Sequence, residues 1–470
     1  MTDLFPASLK RNKSELIVFD GYPNFSFLGK LPAHGLKKRT RRSMQRKKVL
    51  GIILAGGVGG RLDVLTERRA KPAMPFAGVY RLIDFALSNC VHSRISDVWV
   101  IEQFQPHSLN EHLANGRPWD LDRTYGGLQV LPPFISKTDE GGFAEGNADA
   151  IYRHINFIRE FDPDILLVLS ADHVYKLDFQ EVIDRHLELD ADATIVTTQI
   201  PLAEAARFGN VKADKEGRVT EFHYKPDAPQ SEFVTTEVFV YDAPLLLATL
   251  EELAAEGKKK GGKSAKADNG ESSLKDFGHE LIPKLVRDNR VYDYRLEGYW
   301  RDVGTVESYW QGHMDLLAPE TALKLDDARW PILTFGTQRL PAHIHKTASI
   351  ENSLVSAGCD IRGRIIRSVL APGVVVEEGA TVRDSVLLNG AVVRAGAEVS
   401  QAILDERVEV GKNASVGKKS AKGKTKAKTD LNEQITVVGL EAHVPARKQI
   451  TIGARIEPRA IGEDAKEKRR

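Results

Sequence analysis

At 470 residues, 42% apolar and 28% charged, the chain can bury large cores in about one to three domains. Its 66 Lys plus Arg against 65 Asp plus Glu leave a formal net charge of +1, which excludes a dedicated nucleic-acid binder with its large basic excess. Two distant cysteines, Cys90 and Cys359, exclude a disulfide scaffold and a cysteine zinc site. No apolar run reaches the roughly 18 residues of a membrane span.

Residues 1–48 read as a poorly ordered leader without an apolar signal core, so a soluble cytoplasmic protein with no membrane partner is expected. The leader closes in the basic run KKRTRRSMQRKK (37–48), which reads as a solvated tail because no aromatic interrupts it. VLGIILAGG, from Val49, is apolar on both faces and stops at glycines, the pattern of a buried parallel strand. VWVIE (98–102), ILLVLS (165–170) and ATIVTTQI (193–200) read the same way. Between them DAIYRHINFIREF places Ile151, Ile155 and Ile158 on one helical face, with Asp149 as N-cap. Strand alternating with helix predicts an α/β domain on a mostly parallel sheet over 49–316. GKKKGGKSAKADNGESS (257–273) has no apolar periodicity and reads as a disordered insert. Residues 317–348 read as a linker.

From Ser353 the chain can be cut into sixes whose fifth place holds Val369, Val375, Thr381, Leu387, Val393 and Val399. A period of six fits neither helix nor simple strand. It predicts a parallel β-helix of hexapeptide repeats over 349–462. A second Lys-rich insert, KKSAKGKTKAK (418–428), interrupts it, and ITVVGL and QITIGARI can resume a last coil.

LAGGVGGRLDVLTERRAKPAMPF (54–76) sets Gly56, Gly57, Gly59 and Gly60 directly after a buried strand. Glycines allow a tight turn and bare N–H groups facing phosphate. Arg61 and Lys71 flank the loop as cations for a polyphosphate. Neither the P-loop pattern nor the dinucleotide fingerprint is met. In ILLVLSADHVYKLDF, Asp172 stands at the carboxyl end of a strand, where open α/β sheets place ligands; it is a candidate Mg²⁺ carboxylate or a helix N-cap. His173 reads as structural. Asp302, in YWRDVGT, is a candidate second carboxylate, and Lys225, in EFHYKP, a candidate phosphate partner.

These stretches, with YRLIDFALSNCVHS and NSLVSAGC, resemble the bacterial ADP-glucose pyrophosphorylases (glucose-1-phosphate adenylyltransferases) from about residue 49 to 410. The resemblance implies a Rossmann-like nucleotidyltransferase domain followed by a left-handed β-helix. It also implies a homotetramer, Mg²⁺ dependence, control by a metabolite effector, and a place in glycogen synthesis. It implies Arg61, Lys71 and Asp172 as catalytic, and Asp172 and Asp302 as metal carboxylates. Leu54, Ala55, Gly56, Gly57, Gly59, Gln103 and Gly146 would form the nucleotide site. Gly209, Tyr224, Lys225, Thr235, Asp276 and Trp300 would form the sugar-phosphate site, and Arg68 would meet the effector.

Three positions depart from the family pattern: Ala144 stands for Tyr, Tyr224 for Glu and Glu237 for Gly. The expected reaction is ATP plus glucose 1-phosphate giving ADP-glucose and pyrophosphate. The alternatives are another sugar 1-phosphate such as glucosamine 1-phosphate, another nucleoside triphosphate, or a non-catalytic regulatory paralogue. An acyltransferase is disfavoured because the short β-helix shows no catalytic His in its coils.

Overall fold

The computed structural model describes residues 47–57, 59–133, 144–261, 274, 276–336, 338–418 and 431–461. The leader up to residue 46, residues 262–273 of the first insert and residues 419–428 of the second lie outside the described residues.

The runs that are apolar on both faces form the middle of one large sheet. β1 (Val49–Ala55) lies parallel to β2 (Asp97–Glu102) and to β4 (Ile165–Ser170), and β2 lies parallel to β3 (Gly127–Leu131). Helices cover both faces, so Leu50, Ile52, Ile53, Leu166 and Leu167 are fully buried. β6 (Ala193–Gln199), read as a parallel strand, is parallel to β10 (Val291–Arg295) but antiparallel to β9 (Phe233–Asp242). β9 also runs antiparallel to β4, and β7 (Gly209–Ala213) with β8 (Val219–Tyr224) extends that antiparallel side. The sheet order is β8-β7-β9-β4-β1-β2-β3. A separate pair joins β5 (His173–Tyr175) to β11 (Trp300–Asp302).

The helix read over DAIYRHINFIREF is two, α1 (Asn147–Arg153) and α2 (Ile155–Phe161), broken at His154. Ile151, Ile155 and Ile158 are buried as expected. Asp149 is not the N-cap. Gly146 holds that position, and Asp149 lies within the first turn, accepting from Glu145 N at 3.0 Å and Arg153 Nε at 2.9 Å. The insert also begins later than predicted, because α3 (Ala243–Gly261) carries its backbone helix through residue 261.

The C-terminal part is a left-handed parallel β-helix whose three faces are six-stranded parallel sheets. Its first strand, His343–Ile344, pairs with Asp360–Ile361 and so falls inside the stretch read as linker. The middle coils are seventeen residues, not eighteen: Ile365 stacks on Val382, Val399 and Val416, and Leu370 on Leu387 and Leu404. Each of these coils is two sixes and a five, and the step before them, from Ile350 to Ile365, is shorter still at fifteen. The fixed six-residue frame names Val375 and Thr381 where Val376 and Val382 point inward, and comes into step only at Leu387. Val382→Ala should cost about 2 kcal/mol of stability through a buried cavity, and Thr381→Ala less than about 0.5 kcal/mol. Chemical denaturation of the two variants checks the register.

Val369 is buried for another reason. With Val386, Ile403 and Val437 it forms an outward apolar stripe on one β-helix face, packed against Leu62, Phe76, Phe85, Tyr309 and Trp310 of the first domain. Polar contacts rim that stripe. Arg69 Nη2 donates to Asp405 Oδ1 at 2.8 Å, Arg81 Nη1 to Glu406 Oε1 at 3.0 Å and Arg455 Nε to Asp63 Oδ2 at 3.2 Å. The glycine-rich loop and the Lys71 segment are thus braced from behind by the β-helix.

Candidate active site

β1 ends at Ala55, and its neighbour β4 ends at Ser170, level with Leu54. The chain after each strand opens into one cavity of about 370 Å³ at the carboxyl edge of the sheet. Leu54, Ala55, Gly56, Gly57, Gly59, Arg61, Lys71 and Asp172 line it, along with Asn147, Glu237 and Phe277. Gly59 has φ +72°, a conformation that favours glycine, and Thr66 Oγ1 donates to its carbonyl at 2.9 Å, closing the loop. Gly57 and Gly60 have open space where a Cβ would stand, leaving room for a ligand to approach the backbone. Arg61 is exposed at the cavity, whereas Lys71 is buried.

Asp172 lies between β4 and β5, so the N-cap alternative falls away. Its carboxylate pairs with Lys71 and accepts from the Ser170 hydroxyl. β11 lies against β5 with Asp302 level with His173, and Asp302 Oδ1 is 3.8 Å from Lys71 Nζ. His173 Nε2 is 3.6 Å from a carboxylate oxygen of each aspartate, while its Nδ1 is 2.8 Å from the Thr236 carbonyl. A Cβ at Gly304 would stand 2.9 Å from the Asp302 carboxylate and 3.1 Å from Arg61 Nη2, so Arg61 also reaches this cluster.

The electrostatics follow from that packing. Burial opposes the charge on Asp172, but Lys71 and His173 overcome it and hold the carboxyl well below the usual range. Burial would likewise lower Lys71, yet Asp172 and Asp302 raise it, so its ammonium is firmly charged. His173 is raised against burial by Asp172, Glu237 and Asp302. Glu237 is pushed up by burial, with Asp172 and Asp302 adding to the push. Two carboxylates and a buried lysine ammonium within one cluster show that the place accepts positive charge. Its oxygen donors suit a hard cation such as Mg²⁺ better than the imidazole does.

A second group lies alongside. Tyr224 pairs with Gly209 across β8 and β7, and Lys225 N donates to Phe208 O at 3.1 Å. Lys225 Nζ donates to Tyr224 Oη at 2.7 Å, and Tyr224 Oη donates to Asp276 Oδ2 at 3.2 Å. The Tyr224 ring lies so close on Gly278 that a Cβ there would run into it. Thr235 Oγ1 accepts from Glu237 N at 3.1 Å. Trp300 reaches this group through Phe208, ring centroids 5.3 Å apart. Asn147 N donates to Asp276 Oδ1 at 3.4 Å and links the group to the cavity.

Not every predicted residue lines that cavity. Gln103 packs behind Gly56, where a Cβ would meet its side chain at 3.1 Å. Gly146 stands at the start of α1 beside Asn147. Asp302 takes part through Lys71 and His173 rather than as lining. Arg68 is exposed one residue before the buried, ion-paired Arg69, so only Arg68 of that pair is open to an anion. Sequence reading missed the place of His173, whose position directly after Asp172 was the available signal. Glu237, singled out in the sequence for standing where the family has glycine, does line this cavity; a β9 irregularity between Thr235 and Phe239, which the sequence did not reveal, puts it at φ +56°.

Residues 50–318 match the nucleotidyl transferase family model, and residues 339–438 match the GlmU-like C-terminal hexapeptide model. A glucose-1-phosphate adenylyltransferase of Acetivibrio thermocellus is 37% identical over 422 residues, covering 90% of this chain and 96% of that protein. The same-named protein of Pseudothermotoga lettingae is 41% identical over 417 residues, 87% of this chain and 95% of that protein. That of Thermosipho melanesiensis is 42% identical over 337 residues, 72% of this chain and 78% of that protein. A glycine-rich loop, a buried lysine and two carboxylates at the carboxyl edge of such a sheet, carried ahead of a hexapeptide β-helix, agree with those matches: the chain belongs to the nucleotidyl transferase family, among relatives named glucose-1-phosphate adenylyltransferase.

Proposed function

We propose that the chain transfers the adenylyl group of ATP to α-D-glucose 1-phosphate, giving ADP-glucose and pyrophosphate for α-glucan synthesis. The observation that carries this reading is the convergence of Arg61, Lys71 and Asp172 on one glycine-lined cavity, with Asp302 near Lys71, and Lys225 and Asp276 alongside. The sugar phosphate is an anion at neutral pH, so its attack on the α-phosphorus needs no general base. Catalysis is then alignment and charge stabilisation. Lys225 would hold the attacking phosphate. Arg61, exposed at the loop, would take the outer phosphates, and the glycine N–H groups would cradle them. Lys71, kept charged by its carboxylate neighbours, would meet charge building on the α-phosphoryl. Mg²⁺, held by Asp172 and Asp302, would supply further charge neutralisation there.

The test is a panel of nucleoside triphosphates and sugar 1-phosphates read by pyrophosphate release. ATP with a hexose 1-phosphate should give the highest kcat/KM. Preference for UTP would select the other-nucleotide alternative, and no release with any pair would select the regulatory paralogue.

The exposed Arg68 supports control by a phosphorylated metabolite, since a free guanidinium suits such an anion. Arg68→Ala should reduce activation several-fold without changing the basal rate, and a metabolite screen on both proteins checks it. A homotetramer is part of the same reading, supported by the family membership. No helix among the described residues is long and apolar enough to cross a membrane.

A further inference from the structure

The first coil of the β-helix carries metal-ligating side chains that the adenylyl-transfer reading does not use. His343 and His345 flank Ile344, whose strand partner Ile361 is a core residue, so strand alternation turns both imidazoles outward. Parallel pairing sets Asp360 level with His343. His345 Nε2 lies 3.2 Å from Asp360 Oδ1, and the two imidazole centroids are 3.9 Å apart. One donor atom from each of the three residues lies within 4.8 Å of the others. His345 Nε2 is shielded from solvent and lacks a hydrogen-bond partner of good geometry, although the carboxylate oxygen is close. Arg362 fixes that carboxylate from behind, Nε donating to Oδ1 at 3.0 Å and Nη2 to Oδ2 at 3.4 Å. The strand His343–Ile344 is outermost in its sheet, so no further coil among the described residues covers its outer edge.

We propose that His343, His345 and Asp360 form a site for a divalent cation of the zinc type, which staples the first coil of the β-helix to the second. Two imidazole nitrogens and a carboxylate oxygen, with water in the fourth position, are a donor set that zinc accepts in tetrahedral geometry. The all-oxygen preference of Mg²⁺ separates this site from Asp172 and Asp302. Arg362 plays the outer-shell part, orienting a ligating carboxylate. The competing account makes His345 the end of an outward ion-pair ladder, continued by Glu377, Arg394 and Glu409. That ladder explains Asp360 beside His345. It does not explain the second imidazole, His343, held against His345 with a donor atom within reach of the same point.

The full-length protein, stripped with chelator and held in excess Mg²⁺ to fill the oxygen sites, is titrated with ZnCl₂ by calorimetry. The wild type should take up one equivalent that the His343→Ala/His345→Ala double variant loses. Co²⁺ should give visible tetrahedral bands in the wild type only. Both side chains lie outside the β-helix core, so the zinc-free melting temperature should match between the two proteins, and zinc should raise it only in the wild type. Equal zinc uptake by both proteins, or none by either, would overturn the proposal in favour of the ion-pair ladder.

Discussion

Asp172→Asn should lower kcat by at least roughly 10²–10³-fold while leaving a folded protein. The carboxylate sits where the carboxyl end of β4 meets the cavity, paired with Lys71 and facing His173. Removing its charge takes away half of the carboxylate pair that would hold Mg²⁺, and loosens Lys71 from its place. Stability should fall as well, because Lys71 is buried and would keep only Asp302, at 3.8 Å, as its carboxylate. A loss of about 1–3 kcal/mol is expected, the usual cost of weakening a buried charged contact. The pH dependence has a definite sign. The folded Asp172 carboxyl is lowered, so its contribution is present above the unfolded value of about 3.9 and is lost as pH falls towards the folded value. The variant should therefore lose less stability than the wild type between neutral pH and about pH 3. Steady-state kinetics and urea melts at two pH values give both readouts. Near wild-type turnover in the folded variant would remove Asp172 from the catalytic machinery.

What could be read beforehand divides along physical lines. β1 and β4 were legible because a strand buried on both faces must be a continuous apolar run. The phosphate loop was legible because its glycines and cations are adjacent in sequence. The β-helix was legible as a repeat, but not its true frame, since a coil of two sixes and a five drifts against a fixed period. Its docking face was hidden for a related reason. Val369 and Leu370, Val386 and Leu387, and Ile403 and Leu404 each put one side chain into the coil and one onto the first domain, so no alternation marks which is which. The antiparallel strands β7, β8 and β9 were not anticipated, since polar faces such as that of VTEFHY give no continuous apolar run. Glu237 reached the carboxylate cluster through an irregularity between two paired strands, a property of register that no local pattern carries.

Glu237→Gly should shift sugar preference by roughly 10- to 150-fold, the equivalent of about 1.5–3 kcal/mol for a hydrogen bond to a charged group. The family resemblance places a carboxylate at position 224 and glycine at 237, and this chain has Tyr and Glu. Tyr224 cannot serve as that carboxylate. Its hydroxyl is occupied between Lys225 and Asp276, and its ring is pressed on Gly278. Asp276 is itself engaged by that hydroxyl and by Asn147 N. Glu237 therefore brings a carboxylate to the cavity from a different side, where the two nearby aspartates make an added positive charge welcome. The ammonium of an amino sugar would gain a charge-assisted bond there that a glucose hydroxyl would not. The wild type should accordingly use glucosamine 1-phosphate well relative to glucose 1-phosphate, and Glu237→Gly should reverse that ratio. Nucleotide preference should remain with ATP, because the glycine loop is untouched. Stability should move little. Glycine relieves a φ of +56° that costs a side chain about 1–2 kcal/mol, and its greater freedom in the unfolded chain returns up to about 1 kcal/mol of that. The measurement is kcat/KM for both sugar phosphates in both proteins. A strong glucose preference in the wild type that the substitution leaves unchanged would show that Glu237 does not read the sugar.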